Sequence, residues 1–147
     1  MLGPVEVTPA ETNELRAVEP WNVPRYWAIV APLLEPAVEY ADGNLGIEDL
    51  RDSLLQGQMH LWVSFRGAQL EMAFITRFNA YQRRRSCQVV VLGGENREHW
   101  REDHQAKIEA WAKQYGCDCL EIWGRKGWIR ALPDWRSVYT MMRKDLR

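Results

Sequence analysis

Residues 86–115, SCQVVVLGGENREHWREDHQAKIEAWAKQY, constrain the fold more than any other stretch of the chain. Residues 87–92 are rich in valine and read as a buried strand, broken by Gly93-Gly94. Beyond the glycines, Trp100, His104, Ile108, Trp111, Ala112 and Tyr115 recur on one stripe of a long helix, with Glu98, Glu102, Glu109 and Lys113 opposite. Gly116 is a natural stop. Residues 119–123 (CLEIW) then read as a strand parallel to the first, as in a right-handed βαβ unit. The first turn of such a helix offers unpaired N–H groups and the positive end of its dipole, which suit a phosphate-bearing ligand. Two glycines also suit a turn that needs positive φ and nothing more. The spacing allows both.

The flanking chain supplies the remaining layers. Residues 1–13 hold two prolines, a glycine and scattered apolar residues, an extended arm before a single domain at 14–147. Residues 14–19 (ELRAVE) alternate as a short strand ended by Pro20. Trp27, Val30, Ala31, Leu34, Val38 and Ala41 then share one helical face, within which Pro32 and Pro36 should kink or divide the helix. A second short helix is expected at 47–55, with Ile47, Leu50 and Leu54 inward. Residues 60–65 and 69–79 flank the tight turn Arg66-Gly67-Ala68 as an antiparallel pair. Leu70, Met72, Phe74 and Thr76 there alternate with Glu71, Ala73, Ile75 and Arg77. Residues 124–127 (GRKG) are a loop, 128–132 a helical turn, and 137–144 (SVYTMMRK) a closing strand. The fold class is α/β, or α+β: a mixed central sheet with an antiparallel meander and helices on both faces.

Composition narrows the function classes. Nineteen basic and 20 acidic side chains leave a net charge of −1, no electrostatic reason to bind nucleic acid or an anionic membrane. No apolar run approaches the roughly 20 residues of a membrane span. Three irregularly spaced cysteines make no disulfide framework, so a cytoplasmic setting is expected. His99 and His104 are five apart, off the spacing that binds a metal well, and Cys87, Cys117 and Cys119 have no evident fourth ligand, so no metal is expected. His104 falls on the buried stripe and reads as a hydrogen-bonded core residue. Arg83-Arg84-Arg85, with Arg77 and Tyr81, is the densest positive patch, suited to a phosphate group or an acidic surface, or simply a solvated hairpin corner.

The order of elements resembles the GNAT superfamily of N-acetyltransferases. HLWVSFRGAQLEMAFITRF is similar to that family's second and third strands, the strand–GG–helix to its acetyl-coenzyme A motif, and SVYTMMRKDL to its closing strand. The strings GCDCLE and GRKGW further resemble small GNAT-like proteins of tailed bacteriophages. The resemblance implies acetyl-CoA as cofactor, held by Leu92, Gly93, Gly94, Glu95, Asn96 and Arg97. Acyl transfer to an amine needs a base, for which the strand carboxylates Glu71 and Glu121 are candidates, and an acid, for which Tyr139 is one. Each has a structural alternative: an outward strand residue or ion pair for the glutamates, a core aromatic for Tyr139.

Three departures define a second reading. The family's Gln/Arg-x-x-Gly-x-Gly/Ala loop is here LGGENREH, with Glu95 where a diphosphate would lie. The family's usual tyrosine position falls near Ala131, and GRKG stands where an asparagine is common. A non-catalytic protein of the same fold could use the arm and a surface rich in its eight tryptophans to bind a protein partner, a virion component or a second copy.

Overall fold

The computed structural model describes residues 13–41, 43–95, 104–124 and 130–147. Residues 1–12 of the expected arm, Asp42, Asn96 and Arg97 with the first half of the expected long helix, and residues 125–129, which fall in the expected GRKG loop and helical turn, lie outside the described residues.

Five strands form one sheet in sequential order. β1 (Asn13–Val18), β2 (His60–Arg66), β3 (Gln69–Ala80) and β4 (Arg85–Gly94) are antiparallel neighbours, and β5 (Cys119–Ile122) runs parallel to β4. Helices α1 (Val23–Val38) and α2 (Ile47–Leu55) follow β1. Helix α3 (Gln105–Gln114) connects β4 to β5. Gly67, at φ 64°, makes the turn between β2 and β3.

Two cores sandwich the sheet. Val23, Val30, Leu34, Leu50 and Leu54 of α1 and α2 bury against Leu61, Val63, Ala73, Ile75 and Val91. Ile108 and Ala112 of α3 bury against Trp62, Met72, Phe74, Cys87, Val89 and Leu92. Helices on both faces explain why residues 72–76 are buried without interruption, although polar residues alternate at the ends of the strand. His104 is buried as expected, its Nε2 2.9 Å from Ser64 Oγ.

Three expectations are corrected. Pro32 and Pro36 do not divide the first helix, which runs unbroken from Val23 to Val38. Each proline removes one N–H from the helical ladder, and burial of Val30 and Leu34 on either side of Pro32 outweighs that loss. Gly93 and Gly94 do not interrupt β4; they are its last two residues, paired with Ala73 and Met72. Finally, residues 137–144 form no strand. Val138 and Tyr139 are both exposed, as are Met141 and Met142, so alternation in this stretch finds no face to bury.

The glycines at the end of β4 answer to the protein's own backbone. A Cβ on Gly93 would overlap the Leu33 carbonyl of α1, and one on Gly94, at φ 122°, would overlap the Glu71 carbonyl of β3. Substituting Gly93→Ala is therefore expected to force α1 off the sheet and to cost about 1–3 kcal/mol or more. Gly46, at an ordinary extended φ of -121° and with only the Asp49 carboxylate within reach of an added Cβ, serves as the control. Urea denaturation of the two alanine variants checks the difference.

Candidate functional site

β4 and β5 pair only over Ser86–Val89 and Cys119–Ile122. Beyond Val89 the outer edge of β4 carries no strand among the described residues, because β5 ends at Ile122; the opening this leaves beside β4 is called the fork. A bulge marks the place: Thr76 faces Val89 and Ile75 faces Val91, leaving Val90 extra on β4. At the far end Glu95 N donates to Glu71 O at 3.1 Å, turning the chain back towards β3. Below the fork, Arg85 N donates to Asp118 Oδ2 and Asp118 N to Arg85 O, at 3.0 and 2.7 Å. This clasp fixes where β5 begins, and hence where the strands part.

Glu121 pairs in register with Gln88, one step before the last rung at Val89 and Ile122. Tyr81 Oη and Ser86 Oγ both donate to its Oε1, each at 2.8 Å. Ser86 is fully buried, and a further layer of polar groups surrounds it: Asn79 Nδ2 and Arg77 Nε donate to Gln88 Oε1 at 2.9 and 3.1 Å. Partial burial and the hydrogen bond to the Glu121 carboxylate hold the Tyr81 phenol above its ordinary pKa, and Tyr139 adds a small electrostatic push the same way. Tyr139 itself is 70% exposed, not the core aromatic that was its structural alternative.

Glu71 lies elsewhere. Its side chain is largely buried, and Arg66 Nε donates to its Oε2 at 2.6 Å. It is adjacent to Met72, opposite Gly94, six β4 residues from the level of Glu121, or about 20 Å along the strand. The structure therefore sets Glu121 at one end of the fork and Glu71 beside Gly94 and Glu95 at the other, so the two carboxylates do not share a site. Leu92 is buried in the α3-side core, and Glu95 is exposed. The sequence reading missed Tyr81 and Ser86 as partners of Glu121. No local pattern signals a contact between residues 40 apart across two strand pairings.

On the α3 face, the His60 ring lies 4.7 Å from Phe78, tilted, and 5.0 Å from Trp111, edge-on, with Nδ1 3.0 Å from Thr76 Oγ1. Burial, and then the positive charge of Arg85, keep its pKa below the ordinary 6.5. Cys87 sits in the same core, its thiol pushed up to about 12 by burial. Among the described residues no group of three or more metal-ligating side chains occurs, and no helix is long and apolar enough to cross a membrane.

No protein-family model matches the sequence, and no curated protein matches it. Solved structures do. A GNAT family acetyltransferase from Staphylococcus aureus superposes with a TM-score of 0.63 at 10% identity, covering 92% of this chain and 99% of that one. A predicted acetyltransferase with acetyl-CoA from Clostridium acetobutylicum gives 0.62 at 8% identity, over 92% and 97%. A probable acetyltransferase gives 0.67 at 10% identity, over 90% and 99%. The fold of this chain is that of the GNAT acetyltransferases.

Two measurements check the electrostatics around the aromatic cluster. The unfolded chain protonates His60 first as pH falls through 6.5, so the stability this buried neutral ring contributes is present above that value and lost below it. Urea midpoints should fall from about pH 7 to about pH 5.5, and the slope should flatten in His60→Gln. The raised thiol pKa of Cys87 predicts that it resists a thiol-reactive probe in the native chain and reacts once urea unfolds it, read by mass spectrometry.

Proposed function

We propose that this chain is a GNAT-type N-acyltransferase that takes an acyl group from acetyl-CoA to an amine. The observation that carries the reading is the fork: one wall is a strand edge without a strand partner among the described residues, and Glu121 lies one step before the last rung that bounds it. The main-chain N–H and C=O groups of residues 90–94 are the kind that pair with the amides of an extended ligand arm. That edge fits the amide-bearing arm of acetyl-CoA. The glycines themselves are accounted for by Leu33 and Glu71, so the fit rests on the edge and not on a glycine cradle.

When bound, acetyl-CoA would supply a thioester carbonyl activated towards an amine. Leu92, Gly93 and Gly94 would line its path, and an N–H of the β4 edge is a suitable donor to a carbonyl oxygen gaining charge. Both hydroxyl donors to Glu121 fall on Oε1, which fixes the carboxylate plane and leaves Oε2 to take the proton an ammonium must lose before its nitrogen can attack. Tyr139 is the proposed proton donor to the departing sulfur. Glu71, held by Arg66, is assigned a structural role at the other end of the fork.

A second reading, a partner-binding protein related to phage GNAT-like proteins and without catalysis, draws on Trp21, Met142 and Leu146, which are 73–91% exposed. Thermal melting separates the two. Acetyl-CoA at about 100 times its dissociation constant should add about 2.7 kcal/mol of stability. Release of free thiol with a panel of amines should fall about 100-fold or more in Glu121→Gln, with the thermal shift retained. No shift at millimolar acetyl-CoA overturns the acyltransferase reading.

A further inference from the structure

The two outer strands of the sheet are protected unequally. At β1, Lys107 Nζ donates to the Leu15 carbonyl at 2.8 Å, and Arg16 and Glu14 pair beside it at 3.0 Å, charged side chains that discourage further pairing. β5 closes the sheet on the other side, with no strand beyond it among the described residues. Its Leu120 and Ile122 pack against the α3-side core, yet all four β5 residues are only half-buried, whereas Cys87 and Val89 one strand further in are buried.

The same chain carries a segment with the complementary deficit. Residues 136–147 form no helix or strand, and every one of them is exposed. Val138, Tyr139, Met141 and Met142 are 61–89% exposed. In an extended segment Val138, Thr140 and Met142 share one face, and Tyr139 and Met141 the other, so both faces are largely apolar. That pattern suits a strand covered on both sides, in a sheet such as this one with helices on both faces. Within its own chain the segment is held elsewhere. Trp135 Nε1 donates to Gln105 Oε1 of α3 at 3.3 Å, and Arg143 donates to Asn44 Oδ1, in the connection between α1 and α2, at 2.8 Å.

We infer that residues 137–142 of one chain pair with the outer edge of β5 in a second copy, which returns the same strand and so closes a twofold dimer. Main-chain hydrogen bonds along the edge supply the affinity, and apolar side chains that now face water are covered. Six residues suffice to span the four of β5. An unrelated peptide could meet the same edge, but it would leave residues 137–142 in water; a second copy answers both deficits. Each chain holds one such edge and one such segment, so reciprocal exchange uses both, whereas one-way pairing would continue into a filament. The inference needs neither coenzyme nor catalysis and stands apart from the acyltransferase reading.

The test combines light scattering with amide hydrogen exchange on the full chain. At about 100 µM the mass is expected to be twice the 17.2 kDa of one chain. In that dimer the amides of residues 137–142 and of β5 should exchange about tenfold or more slowly than in a sample diluted to the monomer. Thr140→Pro removes a main-chain donor from the middle of the segment and lies outside every helix and strand of the single chain, so it should weaken the dimer about tenfold or more without unfolding it. Asp145→Pro, beyond the pairing residues, should leave the dimer unchanged. A monomer at about 100 µM, a dimer in which residues 137–142 exchange freely, or a dimer indifferent to Thr140→Pro overturns the inference. The exchange measurement needs no variant and decides the matter by itself should Thr140→Pro lower the stability of the fold.

Discussion

The Leu33 carbonyl of α1 occupies the space in which a side chain at position 93 would begin. Backbone against backbone is as close as a helix and a strand can lie, and the rest of the molecule is arranged to permit it. Gly93 has no Cβ, and burial of Val30 and Leu34 presses the helix onto Ile75 and Val91. Leu33 itself lies between Pro32 and Pro36, whose missing N–H groups leave this stretch of the ladder with fewer bonds to lose. With α1 seated there, the C-terminal half of β4 is covered on that face by a helix and on the other by Leu92 packing towards the α3-side core.

The fork follows from the same geometry. Asp118 clasps the backbone of Arg85, which sets β5 beside the first half of β4, and β5 is only four residues long. The bulge at Val90 then changes the register with β3 where β5 ends. Main-chain hydrogen-bonding groups are left at an edge, and a carboxylate lies one step before the last rung that bounds it. A longer β5 would have paired with the edge and removed the opening. The chemistry proposed for this chain therefore depends on where a strand stops as much as on which side chains are present.

Most of the fold was legible in the residues. The limits of α2 coincide with the expected ones, β2 and β3 differ by a residue, and β5 runs parallel to β4 as expected, ending at Ile122, one residue short of the expected limit. Patterns misled where a local signal had a non-local answer. Gly93-Gly94 looks like a break, yet both glycines stay paired with β3 as the last two residues of β4, and the Leu33 and Glu71 carbonyls leave no room for a Cβ at either. SVYTMM has the composition of a strand, but a strand exists only if a neighbour accepts its hydrogen bonds, and the described structure offers none. Glu121 was visible as a strand carboxylate. Tyr81 and Ser86, which orient it, were not.

The sequence by itself determined the elements and their order, because helical and strand periodicities and turn residues act over a few positions. It also determined that the chain carries carboxylates on strands and an almost balanced charge. Tertiary structure decided which partners each carboxylate meets. Glu71 and Glu121 are both strand glutamates, but among the described residues Arg66 ion-pairs with one and the hydroxyls of Tyr81 and Ser86 bond the other. Arg66 reaches Glu71 across a hairpin turn, only five positions away, whereas the partners of Glu121 lie 35 and 40 positions away and leave no mark in its own segment.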